Sequence, residues 1–362
     1  MHIRTSRAVL LSFLSLAASA LFAQSIDAPF ELRRGVIVDG ARGAVYLPQT
    51  DGEIEAVDLS AGRVLWTFPD AALPLTVDGS LLVAQGEEMR KGRLPIAVLD
   101  LQAGGKKVVD AVIPLPDDVH ALIVDDFERS FRATAEREGD SFVISWTYTE
   151  RVVQGIWRAP DEPLPTRTVS GAARINIATG AVLAAATRPA KPRTEATAER
   201  VRALYTLAQT PWRAGNVLAM IQGGRGGPLT LKRWDASTSA ALADRVLVQK
   251  AVVALPSAEE KYLLASERVG EGGPDDPEYR WSIFSLETGE RIGEMRRDVS
   301  AAPFVVWKDS VVFESRPYGY RIGEVWVDEP LKIRALRLSR GVPVWDRTVR
   351  HLEYRGPVPP VR

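Results

Sequence analysis

Apolar and polar positions alternate with a period of two along most of this chain, in short runs broken by turns rich in Gly, Pro and Asp. In Glu53–Asp58, Ile54, Ala56 and Asp58 fall on one side and Glu55 and Val57 on the other, which is the period of a strand. The strands recur as a unit. Ala56-Val57-Asp58-Leu59-Ser60-Ala61-Gly62-Arg63-Val64-Leu65-Trp66 and Ala335-Leu336-Arg337-Leu338-Ser339-Arg340-Gly341-Val342-Pro343-Val344-Trp345 share Ala, Gly and Trp in one register. Each copy reads as strand, tight Gly turn and returning strand, because Gly supplies positive φ without steric cost.

The turn provides a phase marker. Asp58 precedes Gly62, Asp100 Gly104, Asn176 Gly180, Ser285 Gly289 and Arg337 Gly341, while Asp235 precedes Ser239 where Gly is expected. The markers at 62, 104, 180, 239, 289 and 341 lie 42, 76, 59, 50 and 52 residues apart. A four-stranded blade takes roughly 40–50 residues, so the pattern predicts an all-β fold, a β-propeller of six four-stranded antiparallel blades. A seventh has room between Gly104 and Gly180. The predicted blade starts are Gly35, Leu73, His120, Ala203, Ala251 and Ala302. In blade one the strands are Gly35–Asp39, Gly43–Pro48, Glu53–Asp58 and Arg63–Phe68. In blade six they are Ala302–Trp307, Ser310–Arg316, Lys332–Leu338 and Val342–Thr348. Thr194–Leu207 is the one helical candidate, and the Arg- and Glu-rich Asp126–Asp140 reads as a solvated insert.

Residues 1–23 break the pattern. Arg4 and Arg7 precede an uncharged, mostly apolar stretch, Ala8–Ala23, that ends in small residues. This order reads as a signal peptide cleaved after Ala23, and the stretch is short for a span of roughly 20 residues. The expected mature chain, 24–362, is one propeller domain, soluble and periplasmic or secreted, with no membrane span. The chain has no Cys, which excludes disulfides, thiolate metal sites, a catalytic thiol and a lipidated Cys. Loss of Arg4 and Arg7 leaves 44 basic against 46 acidic residues, a balance that argues against a nucleic-acid surface.

The pattern Ala-x-Asp-x-x-x-Gly-x-x-x-Trp at Ala56–Trp66 resembles the PQQ-like propeller repeat, shared by quinoprotein dehydrogenases and a scaffold propeller of outer-membrane assembly. The resemblance implies that Trp66 and Trp345 dock against neighbouring blades. Ala184, Ala243 and Gly293 stand at the Trp position elsewhere, and Arg337 replaces the Asp. Quinoprotein dehydrogenases of this type are longer and eight-bladed, with vicinal cysteines and a calcium site. This chain offers no Cys and only two Asn, Asn176 and Asn216, so quinone chemistry does not carry over. The resemblance runs closer to the non-catalytic scaffold.

No residue pattern assigns a catalytic, cofactor or metal site. The three His are scattered at 2, 120 and 351. Gly223–Gly227 opens no helix and reads as a hairpin turn rather than a phosphate loop. Asp117-Asp118, Asp125-Asp126 and Asp275-Asp276 could share a proton or hold Ca²⁺, but read first as loop residues. Three long segments, Glu150–Val169, Val269–Tyr279 and Pro317–Leu331, belong to the face carrying the blade-to-blade connections, around the channel mouth. They carry aromatic and Arg residues with no evident core role, so the candidate binding face is Arg151, Trp157, Arg158, Tyr318, Tyr320, Arg321 and Trp326. The expected function is non-catalytic binding of a protein, peptide or cell-envelope polymer. The competing reading is a propeller-type glycan lyase or hydrolase with its site at the channel mouth, which needs converging acid and base groups there.

Overall fold

The computed structural model describes residues 28–87, 90–151, 166–184, 211–270, 278–315, 319–322, 325–328 and 330–353. They form a six-bladed β-propeller with no helix among the described residues. Each blade is an antiparallel meander. The inner strands are Val36–Asp39, Leu73–Asp78, Arg129–Glu138, Trp212–Ala214, Ala251–Pro256 and Phe304–Trp307 for blades I to VI. The outer strands are Val64–Phe68, Lys106–Pro114, Val182–Ala184, Arg245–Val248, Arg291–Arg297 and Pro343–Thr348. This up-and-down order puts the first-to-second and third-to-fourth hairpins on one face of the ring, the turn face. The second-to-third and blade-to-blade connections lie on the other, the loop face.

The repeat is explained by hydrogen bonds that recur in every blade. The N–H of Gly62, Gly105, Gly180, Ser239, Gly289 and Gly341 donates to the carbonyl of Asp58, Asp100, Asn176, Asp235, Ser285 and Arg337 respectively. The residue after each of these donates to the first hairpin of its own blade, as in Leu59 N–H to Gly43 O at 2.8 Å and Leu338 N–H to Asp309 O at 2.9 Å. Blade II carries one extra residue, so its marker is Gly105 and not Gly104. Ser239 takes the left-handed conformation (φ 58°) that Gly provides in the other five turns.

Apolar alternation places the core between blades. Five clusters each join successive blades: I with II, II with III, IV with V, V with VI, and VI with I. Trp345 is buried and donates from Nε1 to Leu59 O at 2.8 Å, over Gly62. Trp66 lies over Gly105 of blade II, half-buried. Where the Trp is missing, other groups fill the place. At the IV–V junction the Arg233 guanidinium covers Gly289 and donates to Glu287 O at 2.7 Å. At the V–VI junction Leu338 lies against Gly293.

Two expected boundaries move. Blade III starts at Arg129, not His120, and its inner strand is the polar segment read as a solvated insert. The strand tolerates these charges because Asp125, Asp126, Asp78 and other groups outside it take up its guanidiniums. The expected start of blade IV at Ala203 and the helical candidate Thr194–Leu207 lie outside the described residues. The first described strand of blade IV is Trp212–Ala214.

Among the described residues no blade takes strands from both ends of the chain. A fifth strand, Phe30–Arg33, pairs along the inner edge of blade I, and its Arg33 approaches Glu314 of blade VI at 3.6 Å. After blade VI the chain straps across the loop face. Val349 N–H donates to Leu331 O at 2.9 Å and Arg350 N–H to Pro48 O at 2.8 Å. The Leu352 side chain is buried with Ala72, Leu73 and Ile123.

Candidate functional site

Among the described residues, the expected binding residues fall on two blades, III and VI. Arg151 ends the second strand of blade III, exposed, with its N–H bonded to Glu128 O at 2.7 Å. Tyr320, Arg321 and Trp326 belong to a two-stranded ribbon, Gly319–Ile322 with Val325–Asp328, inserted between the second and third strands of blade VI. The backbone register sets Tyr320 opposite Val327 and Arg321 opposite Trp326. Blades III and VI are three places apart in a ring of six, so Arg151 stands across the ring from the ribbon. Trp157, Arg158 and Tyr318 lie outside the described residues.

The structure gathers a different set at the loop-face mouth. The Asp125 carboxylate takes both guanidinium nitrogens of Arg132, each at 2.6 Å, and Arg34 Nη1 at 3.2 Å. Arg34 Nη2 donates to Phe131 O at 2.7 Å. Arg34 and Asp125 side chains are 13% and 12% exposed, so the pair is held in low dielectric. Burial pushes the Arg34 guanidinium down to about 10, helped by Arg132 and opposed by Asp125, and it keeps its charge at neutral pH. Beside it, Asp126 takes the Arg129 N–H at 2.5 Å and Arg129 Nε at 2.7 Å. Asp118 pairs with Arg167, which lies 3.7 Å from Glu150. Glu87 pairs with Arg350 of the strap at 2.7 Å.

These contacts define what the mouth can do. Asp118, Asp125 and Asp126 each face a guanidinium, and Arg167 holds the Asp118 carboxyl below the usual carboxylate range. A general acid needs a carboxyl whose proton is retained near neutral pH, and the Arg167 pair works against that at Asp118. Asp275-Asp276 lies outside the described residues. Gly223–Gly227 forms the turn between the second and third strands of blade IV, tied to blade V by Gly226 N–H to Ala251 O at 2.7 Å. Among the described residues no group of three or more His, Cys, Asp or Glu is placed to hold a metal ion. The Arg34–Asp125–Arg132 network escaped the sequence reading because Arg34 and Asp125 are 91 residues apart. The tandem Arg33-Arg34 beside a strand start carries no local signal of it.

No family model matches the chain, and no curated protein matches it. Solved structures align with it at low identity. A europium-containing methanol dehydrogenase is 12% identical over 89% of this chain and 70% of that one, with a TM-score of 0.26. The β-propeller domain of Cps50 (Swd1) from Myceliophteria thermophila is 10% identical over 89% of each chain, with a TM-score of 0.25. A eukaryotic initiation factor is 10% identical over 86% of each, with a TM-score of 0.33. The fold assignment rests on this chain's own strand order and blade junctions.

Proposed function

We propose that this chain is a non-catalytic binding or scaffold propeller of PQQ-like repeats that engages its partner through the loop face. The partner is a protein, a peptide or a cell-envelope polymer. The observation that supports the reading is the division of labour on that face. On that face Asp118, Asp125, Asp126 and Glu87 are bound to Arg34, Arg129, Arg132, Arg167 and Arg350, whereas blade VI adds a ribbon holding Tyr320, Arg321 and Trp326 that closes no blade. Removal of residues 1–23 on export accompanies this reading. Among the described residues no helix is long and apolar enough to cross a membrane.

Quantitative binding of a partner recovered by pull-down with the wild-type protein tests it. Replacing Trp326 with Ala should weaken binding by about 2 kcal/mol, roughly thirtyfold, because aromatic anchors dominate interfaces. Tyr320→Ala should act in the same direction, with both thermal midpoints near wild type. Normal binding by both variants, or unfolding of both, counts against the reading. Turnover of a glycan by the wild-type protein would favour the lyase or hydrolase alternative instead.

A further inference from the structure

The first hairpin of blade V differs from its counterparts. Those of blades II, III, IV and VI turn through two residues, Gly79-Ser80, Gly139-Asp140, Gly215-Asn216 and Lys308-Asp309. In blade V the turn runs from Ser257 to Lys261, with Glu260 in the left-handed region (φ 57°). The extra length folds onto the next blade. Ala258 N–H donates to Phe304 O at 2.9 Å, and Glu259 Oε1 accepts the N–H of Val306 at 3.2 Å. These groups lie on the edge of Phe304–Trp307 turned away from its partner strand, Ser310–Ser315. In blade I the corresponding inner edge is covered by Phe30–Arg33.

Glu259 is an unusual group for this task. Its Oε2 is buried and has no hydrogen-bond partner among the described residues. Phe304–Trp307 presents only apolar side chains to it. On its own hairpin stand Glu260, Lys261 and the buried Tyr262, and Lys261 is the cation that acts on it. Glu287 of the third-to-fourth turn acts on Tyr262, and Lys308 and Asp309 follow the blade VI strand. Burial pushes the Glu259 carboxyl up to about 7, against its own N–H, the Val306 N–H, the Ser257 hydroxyl and Lys261.

We propose that residues 257–261 form a proton-operated latch on the inner edge of blade VI, closed by the Glu259 carboxylic acid and released by the carboxylate. A charged carboxylate in this position must recover water, because the Val306 N–H and the Ser257 hydroxyl serve it while its Oε2 stays buried without a partner. The hairpin gains it by lifting from Phe304 and Val306, which uncovers their backbone groups at the turn-face end of the channel. The latch is independent of any ligand on the loop face.

Amide exchange in the intact protein tests it. Between pH 6 and 8 the protection factors of Ala258 and Val306 should fall roughly tenfold relative to Val312, as expected for a carboxyl moving from about 4.5 to about 7 on closure. Glu259→Gln keeps the shape without the charge and should hold both protected throughout. Flat protection in the wild type, or a parallel fall in the variant, overturns the latch. Should Glu259→Gln fail to fold, a carbon-13 titration of the wild-type carboxyl decides. A midpoint near 7 supports the latch and one near 4.5 removes it.

Discussion

Asp309 does for blade VI what Asp58, Asp100, Asn176 and Asp235 do for their own blades. Those side chains accept two turn N–H groups each, such as Ser60 and Ala61 on Asp58 Oδ1, both at 2.8 Å. Blade VI has Arg337 at that place. The carboxylate arrives instead from the first hairpin, where Asp309 takes the Ser339 N–H at 3.2 Å and its hydroxyl at 3.1 Å. The repeat is therefore kept in geometry after it is lost in sequence. Asp309→Ala should cost about 1 kcal/mol in urea unfolding, since the group is exposed and its bonds compete with water. Adding Arg337→Asp should return most of that loss, because the new carboxylate would lie where Asp58 lies in blade I. A second loss instead of a recovery would show that the two positions are not equivalent.

At the level of strands and turns, the VI–I, I–II and IV–V junctions each lay a side chain over the turn glycine of the next blade. A Cβ on Gly62 would sit 2.3 Å from the Trp345 Cβ, and one on Gly105 2.6 Å from Trp66 Cε3. Glycine is thus demanded twice, by positive φ (68° and 79°) and by the indole above it. The fillers differ in how much they bury. Trp345 is 8% exposed and spends its N–H on Leu59 O, whereas Trp66 remains half-buried on an outer strand whose Val64 and Leu65 are exposed. Trp345→Ala should therefore cost about 3–5 kcal/mol and Trp66→Ala clearly less. Equal midpoint shifts for the two in the same denaturant would refute this ranking of the junctions.

For the whole ring, closure joins blades I and VI, which come from opposite ends of the described chain and share no sheet. Trp307 Nε1 to Gly40 O at 3.0 Å, Trp345 to Leu59 and Arg347 to Gly62 O stitch the two blades together. The strap adds Leu352, 1% exposed, in a small cluster beside the Arg34–Asp125–Arg132 network, with Leu352 O accepting the Asp125 N–H at 2.9 Å. Leu352→Ala removes a buried side chain and should cost about 2–4 kcal/mol in unfolding free energy. It should also speed exchange at Asp125 more than at amides of blade IV, far from the strap. A uniform effect over all blades would mean that the strap does not act on closure in particular.

The blades were legible because their signal is local. The turn bond spans four or five residues, and both the left-handed φ and the Asx side chain act within the same turn, so Asp58–Gly62 and its copies report themselves. The strand period did the same for the core faces. The extra residue at Gly104-Gly105 was invisible, since either glycine satisfies the turn and only the position of Trp66 in the next blade's groove selects Gly105. Blade III was misplaced because charged Arg129–Glu138 looks solvated until Asp125, Asp126 and Asp78 are brought beside it. For the candidate face, spacing located the insertion in blade VI but could not tell that Arg151 stands across the ring from it. Closure, the charge network at the mouth and the Glu259 hairpin join residues far apart in the chain, as Glu259 and Val306, Arg34 and Asp125, and Leu59 and Trp345 are, at 47, 91 and 286 positions. Such contacts exist only after the ring has formed, and their energies come from desolvation inside it, which no stretch of the chain encodes alone.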